Sequence, residues 1–439
     1  RPEDITTSGL YRDPIAENDT LVSDTTNFGN LPWREVFTDP QLQSLIEAGL
    51  KQNTDLLTAA QNVKAAEASL LSARLAYAPS LGLSPQGTIS SFDKNAATKT
   101  YSLPVTASWQ VDLFGQLLNS KRNAQVTLKQ TKAYRQAVQT QVISNIANMY
   151  YTLMMLDRQL EITKSTAEIL KKNAETMEAM KDAAMYNINS TGVEQSKAAY
   201  AQVLASIPDI EQSIRETENA LSTFLGEAPH AIKRGTLEAQ VLPTELSAGV
   251  PIQLLSNRPD VKAAEMSLAG AYYSTNQARS AFYPQISITG TLGWTNSVTG
   301  MPIFDVPKMI MSALGTLTQP LFYRGANLAK LKTAKAQQEI AALNFQQSIL
   351  NAGSEVSNAL YQYQAANEKT IQREKQINSL EKSVEYTQQL LTLGTSTYLE
   401  VLTAQQSLLS AQLSGISDEF QRIQAVVNLY HALGGGRTE

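Results

Sequence analysis

Apolar positions along this chain follow two different periods, and each half switches between them in the same order. In the last stretch they fall at Leu402, Leu409, Leu413, Ile416, Phe420, Ile423, Val427 and Tyr430, and from Leu409 onward the steps alternate 4, 3, 4, 3, 4, 3. That is the a/d seam of a coiled coil. Val203, Ile207, Ile210, Ile214, Thr217, Leu221 and Phe224 repeat the seam 206 residues earlier. Pro208 falls inside that first-half helix, where a missing N–H predicts a kink. Before each seam lies a longer helical stretch. From Gln116 to about Met185 there is neither proline nor glycine, and from Ala326 to Leu393 only Gly353 interrupts. About 70 residues at ~1.5 Å each would make a rod on the order of 100 Å. Two Ala-rich helices are predicted over residues 54–78 and 259–282, each stopping just before a proline.

Between those helices the period shortens to two. Ile286, Ile288, Leu292 and Trp294 share one face of a predicted strand, with Gln285, Ser287, Thr289 and Thr291 on the other. Tyr101, Leu103, Val105, Ala107, Trp109 and Val111 alternate with Ser102, Thr106, Ser108, Gln110 and Asp112. Residues 80–90 read as one strand with Leu81, Leu83 and Ile89 apolar, and a fourth, about 310–322, places Met311, Ala313 and Leu317 on its apolar face. A soluble sheet packed on helices would also alternate. Two details favour a membrane: the polar faces are nearly free of charge, and Trp109, Trp294 and Tyr101 lie toward strand ends, where aromatic girdles form. Strand lengths of about 10–12 residues suit a tilted crossing. The expected lipid-facing residues are Tyr101, Val105, Trp109, Ile286, Ile288, Leu292 and Trp294. Four strands cannot close a barrel, since about eight is the working minimum, and open edges in lipid would strand backbone groups. Several copies must therefore pool their strands.

The two halves are one unit written twice. Asp55/Asp260, Arg74/Arg279 and Pro79/Pro284 match at an offset of 205, Leu113-Phe114 and Leu321-Phe322 at 208, and Ser190-Thr191 and Ser396-Thr397 at 206. Such a period is too long for a solenoid repeat. The predicted organisation is an N-terminal segment 1–53, a first repeat 54–225, a connector 226–257, a second repeat 258–433 and a tail 434–439.

Composition removes most other chemistry. The 439 residues carry 36 Lys+Arg and 40 Asp+Glu, a net charge of −4, so no basic surface calls for nucleic acid. Cysteine is absent, which excludes disulfides, thiolate nucleophiles and Cys-based metal sites. The only histidines are His230 and His431, about 200 residues apart, and they read as ordinary polar residues. Charged residues are 17%, below the roughly 25% of soluble domains. The longest apolar run, around residues 150–156, is far short of the roughly 20 residues of a spanning helix. The opening Arg1-Pro2-Glu3-Asp4 is polar and acidic, unlike a secretory leader. Met177, Met180 and Met185 could suggest a soft-metal relay, but methionines at helical spacing are more often packing. No catalytic residue, metal site or cofactor is expected.

Several strings resemble one family, the TolC-like outer-membrane factors that form the exit ducts of tripartite efflux pumps. Leu31-Pro32-Trp33-Arg34-Glu35-Val36-Phe37-Thr38-Asp39-Pro40-Gln41-Leu42 looks like the entry motif of the efflux lipoprotein branch. Arg258-Pro259-Asp260-Val261-Lys262-Ala263-Ala264-Glu265 is the most specific string, joined by Ala278-Arg279-Ser280-Ala281-Phe282-Tyr283-Pro284, Gln319-Pro320-Leu321-Phe322 and Leu429-Tyr430-His431-Ala432-Leu433-Gly434-Gly435-Gly436. The resemblance implies an α+β membrane protein. Three copies would share a twelve-stranded barrel continued by a long coiled-coil α-helical tunnel in the periplasm of a Gram-negative bacterium. It implies a homotrimer held in outer-membrane lipid and docked to a periplasmic adaptor (membrane fusion) protein and an inner-membrane RND-type transporter. It also implies passive conduction rather than catalysis. Many members begin with a lipidated cysteine, which this chain lacks. A type I protein secretion duct and a structural coiled-coil or adaptor protein are the alternatives.

The same resemblance places function at the helix turns 187–192 and 393–397. Asn187, Asn189, Ser190, Gly192, Gly394, Thr395 and Ser396 are the docking candidates. Gate candidates are Leu390, Leu391, Leu399, Glu400 and Thr403. Relatives commonly hold an acidic residue at the position of Thr403 and a basic–Tyr pair at Leu390 and Leu391, so that latch is missing. Thr397-Tyr398-Leu399-Glu400 and Thr191-Gly192-Val193-Glu194 both have capping-box spacing. The expectation is that Glu400 serves the helix start and that packing of Leu399 and its neighbours closes the tip.

Overall fold

A computed structural model describes residues 28–91, 97–183, 189–241, 258–295, 308–319 and 324–437. In chain order the elements are α1 (Trp33–Val36), α2 (Pro40–Gln52), α3 (Thr54–Leu75), β1 (Ser80–Leu83), β2 (Gln86–Ser90), β3 (Thr98–Val111), α4 (Gln116–Asp182) and α5 (Ser190–Phe224). The second half supplies α6 (Pro259–Ser280), β4 (Gln285–Thr295), β5 (Lys308–Thr318), α7 (Ala326–Thr392) and α8 (Tyr398–Ala432). The duplication is plain in the lengths. The helices α3 and α6 have 22 residues each, α4 and α7 have 67, and α5 and α8 have 35. The first helix α5 runs unbroken through Pro208, which lies on its exposed side.

The chain divides into two compact units, the first comprising Ala60–Tyr134 and Asp260–Ser348. Its sheet is antiparallel throughout, with β1 and β2 both paired to β3, β3 to β4, and β4 to β5. The region 80–90, read as one strand from its alternation, keeps a single register against β3 but is interrupted into the segments β1 and β2. Ser84 still donates to the Pro104 carbonyl at 3.2 Å, but Pro85 has no N–H to give the ladder, so the pairing lapses there and resumes at Gln86. The fourth strand begins at Lys308 and ends at Thr318, while Pro320, Leu321 and Phe322 lie outside the described residues. In the same unit small side chains hold the helices close. Thr275 donates to the carbonyl of Ala334 at 3.2 Å, and Asn123 to the Ser274 hydroxyl at 3.3 Å.

The second unit, which includes residues 28–59, 135–241 and 349–437, holds the main core. Trp33, Val36, Phe37, Leu42 and Ile46 from the N-terminal segment meet Val142, Ile146, Tyr150 and Leu153 of α4 and Val427, Leu429 and Tyr430 of α8. Asp39 explains how this segment is fixed. One carboxylate oxygen caps α2 by accepting from the Gln41 N–H at 2.8 Å, with Pro40 at the first helical position. The other accepts from the Tyr150 hydroxyl at 2.7 Å and the Gln240 amide at 3.0 Å. Burial and the Asp39 partner push the Tyr150 phenol up from its ordinary value. Arg234 ties the connector to α4 and α5, reaching Asp157 at 2.8 Å and Glu218 at 2.5 Å. Those paired carboxylates hold its guanidinium still more firmly charged, against a smaller opposing effect of burial.

Candidate functional site

Two regions carry the expected function: the outer face of the sheet and the end of the helices around the turn at 393–397. In the sheet, the register assembles the predicted apolar face across every strand. Leu103 stands opposite Trp294, Val105 opposite Leu292, Ala107 opposite Gly290, Trp109 opposite Ile288 and Val111 opposite Ile286. On β5, Met309, Met311, Ala313 and Leu317 face Trp294, Leu292, Gly290 and Ile286. On the other side Leu81 and Leu83 face Ala107 and Val105. Directly opposed residues point to the same side of a sheet, so all seven predicted lipid-facing residues share one surface. Its large side chains stay open, with Met311 80% and Leu81 75% exposed.

Aromatic residues mark both ends of that face. Near the helices, the Trp109 indole donates to the Tyr77 carbonyl at 3.0 Å, and Phe114 stacks on Tyr283 with centroids 5.0 Å apart. Tyr101 lies eight residues along β3 from Trp109, about 27 Å of strand at 3.4 Å per residue and about 19–22 Å of height at the ~35–45° tilt of barrel strands. An outer-membrane apolar band is about 25 Å tall between its aromatic girdles. Among the described strand residues only Lys99 and Lys308 are charged.

At the helix ends the turn after α7 closes by a Schellman motif. Gly394, at φ +75°, donates its N–H to the carbonyl of Leu391 at 3.0 Å, and Thr395 donates to that of Leu390 at 3.0 Å. The same motif ends α5 at Gly226 and α8 at Gly434. Beneath the turn lies a small core of Leu170, Met177, Val193, Val203, Tyr398, Val401 and Leu402. Tyr398 donates to the Ser196 hydroxyl at 2.9 Å, joining α8 to α5 inside it. A β-carbon at Gly192 would sit 3.2 Å from the Met177 methyl and 4.0 Å from the Tyr398 Cβ, so both helix starts meet here. Met177 is packing, Met180 is half-buried, and Met185 lies outside the described residues.

The capping boxes are not formed. Asn189 is the cap of α5, its side chain accepting from the Gly192 N–H at 2.9 Å, which puts Thr191 inside the helix and leaves Glu194 exposed. An Asn one residue ahead of Ser190 outcompetes the threonine because its carbonyl already reaches the free N–H groups. At α8 the Thr397 side chain makes no cap bond, and the Glu400 carboxylate instead accepts the hydroxyl of Ser396. Ser396 is consequently buried and not free on the surface, whereas Asn189, Ser190, Gly394 and Thr395 are exposed; Asn187 lies outside the described residues. Of the gate candidates, Leu390, Leu399, Glu400 and Thr403 are exposed and Leu391 packs against the small core.

Sequence reasoning missed Asn53 and the partners of Arg258. Asn53 accepts from the Leu56 N–H at 3.0 Å and donates to the carbonyl of Phe224, the last residue of α5, at 2.9 Å. Its place before a helical run was the readable signal.

Known proteins resemble this chain over most of its length. The family described as outer membrane efflux protein matches residues 45–227 and 250–435, one match for each half. The Cation efflux system protein CusC of Escherichia coli O6:H1 is 29% identical over 419 residues, covering 95% of this chain and 90% of that protein. The Probable outer membrane lipoprotein SilC of Salmonella typhimurium is 27% identical over 426 residues, covering 96% and 91%. Among solved structures, CusC superposes with a TM-score of 0.86 at 28% identity over 92% of this chain and 95% of that one. The open state of the Neisseria gonorrhoeae MtrE outer membrane channel gives 0.85 at 26% identity over 96% and 94%.

Proposed function

The chain belongs to the outer membrane efflux protein family, and from that premise we propose that three copies form the exit duct of a tripartite pump. Each copy contributes four strand positions to a twelve-stranded barrel, since β1 and β2 lie end to end in one register against β3, and the helices form the periplasmic tunnel. The observation that carries this reading is the sheet's continuous, charge-poor apolar face between two open edges, β1 with β2 on one side and β5 on the other. A single copy in lipid would leave both edges unpaired, at several kcal/mol per group; three copies pairing β5 to the next copy's β1 and β2 remove every edge. Transport is passive conduction, with the transporter choosing the cargo. Relatives named for cation, solvent and toluene efflux support export of small solutes over type I protein secretion. A periplasmic adaptor seats on the exposed turn residues Asn189, Ser190, Gly394 and Thr395, and an RND-type transporter lies beyond it.

The test uses two neighbours on β4. Ile288 is on the apolar face, and Thr289 on the other, opposite Ser108 and Leu314. Ile288→Asp buries a charge in lipid at a cost of order 2–4 kcal/mol near mid-bilayer and should abolish assembled channel in outer-membrane fractions. Thr289→Asp lines the lumen and should assemble. Equal assembly of the two variants would reject the barrel.

A further inference from the structure

Among the described residues the apolar face carries a concavity at the end of the sheet far from the helices. A notch of about 690 Å³ opens there, lined by Pro85, Gly87, Tyr101, Leu103 and Trp294. Its origin is local. Pairing lapses at Pro85, Gly87 adds no side chain, and Leu103 and Trp294 stand opposite each other as its wall. A β-carbon at Gly87 would meet nothing within 4 Å, so the space above it is open.

Charge is placed with equal economy. The two charged residues of the described strands, Lys99 and Lys308, are both cationic and both at this same end. Lys99 is opposite Ile89 and, two residues from Tyr101, lies on the notch side of β3, about 7 Å further out. The order along the face is thus a lysine at headgroup depth, an aromatic ring at the interface and an apolar recess below.

We propose that this notch is a binding site for a phosphorylated, multiply acylated glycolipid of the outer leaflet. An acyl chain would occupy the recess against Leu103 and Trp294, and a phosphate would sit at Lys99. The proposal rests on the barrel reading, which turns this face toward lipid and this end outward. A zwitterionic phospholipid is the poorer occupant, because its ammonium partly cancels the charge that Lys99 would pair. A glycolipid phosphate has no such internal partner.

The experiment uses the full-length assembled channel in nanodiscs, with native mass spectrometry counting lipids retained against three probes: bisphosphorylated hexa-acyl lipid A, its dephosphorylated form, and phosphatidylethanolamine. Wild type should retain lipid A in preference to both others. Lys99→Gln should erase the preference for phosphates, about fivefold for one lysine near an anionic surface. Gly87→Phe starts from a Cβ in open space, directs its ring into the recess and should lower retention of both lipid A forms. Equal retention of all three probes by wild type, or unchanged retention in both variants, would overturn the site. Selective retention of phosphatidylethanolamine would likewise overturn it. Trimer formation and conductance are read on the same samples, so failure of the barrel would appear as lost assembly, separately from lost lipid. Should Gly87→Phe fail to assemble, the Lys99→Gln comparison across the three probes decides.

Discussion

Arg258 donates to the carbonyl of Ala432, the final residue of α8, at 3.0 Å, and its guanidinium also pairs with Glu355 at 2.7 Å. In the other half Asn53 does the same for Phe224, the final residue of α5. Each repeat therefore begins with a buried donor that satisfies the carbonyl end of its own return helix. Both donors are 3–4% exposed, so removing either one costs a largely buried hydrogen bond. Arg258→Ala should destabilise the assembled protein by about 1.5–3 kcal/mol, the range for charged hydrogen bonds, with Asn53→Ala somewhat milder. Denaturant melts of the purified channel would check this, and a loss under about 0.5 kcal/mol for Arg258→Ala would contradict it.

Tyr430 gives the core an alkaline limit. Its hydroxyl donates to the Leu31 carbonyl at 2.7 Å and accepts from the Gly436 N–H at 2.9 Å. Burial pushes its pKa up from 10.0 to about 12. The folded state holds the proton more tightly than the unfolded one, so this stability is complete below pH 10 and is lost as pH rises from about 10 to 12. The amount is of order 2–3 kcal/mol. Tyr150 and Tyr151, also raised by burial, add to the same trend. Unfolding followed from pH 8 to 12 should steepen above pH 10, and Tyr430→Phe should be less stable at neutral pH yet show a shallower alkaline slope.

The proposed docking role of the turns can be separated from folding at two glycines. Gly394 is at φ +75° with open space around it, so a side chain there protrudes and strains only the turn, by about 1–2 kcal/mol. Gly394→Leu should cut efflux in cells while channel assembly persists. Gly192→Leu drives into Met177 and should also loosen the small core, seen as faster amide exchange at the start of α8. Undiminished efflux from Gly394→Leu would place the adaptor contact elsewhere.

Glu400 tests whether the tip is an acidic ring. Its carboxylate is engaged by the Ser396 hydroxyl beneath the turn, and Gln can accept the same bond. Glu400→Gln in planar bilayers should therefore keep conductance and cation preference, whereas Glu400→Ala should loosen the helix start. A clear fall in cation selectivity with Gln would assign the gate to charge instead of to Leu399 and its neighbours.

Much of this architecture was legible from residue order alone, because helix and strand periodicity are local properties of the backbone. The long helices ended within a few residues of their predicted limits, at Asp182 and Thr392. The strand faces came out as read, with Met311, Ala313 and Leu317 opposite Leu292, Gly290 and Ile286. The duplication and the absence of cysteine chemistry also followed from the sequence. Tertiary structure decided what depended on distant partners. Arg258 and Ala432 are 174 residues apart and Asn53 and Phe224 are 171 apart, so no local pattern announces either bond. Asn189 took the cap that Thr191 could have held, and Ser396 claimed the carboxylate of Glu400. Each is a competition between polar groups for one partner, settled by which atom the packed helices bring within reach. The break at Pro85 was visible as a missing N–H, but the notch it opens exists only once β3 and β4 set Tyr101, Leu103 and Trp294 beside it.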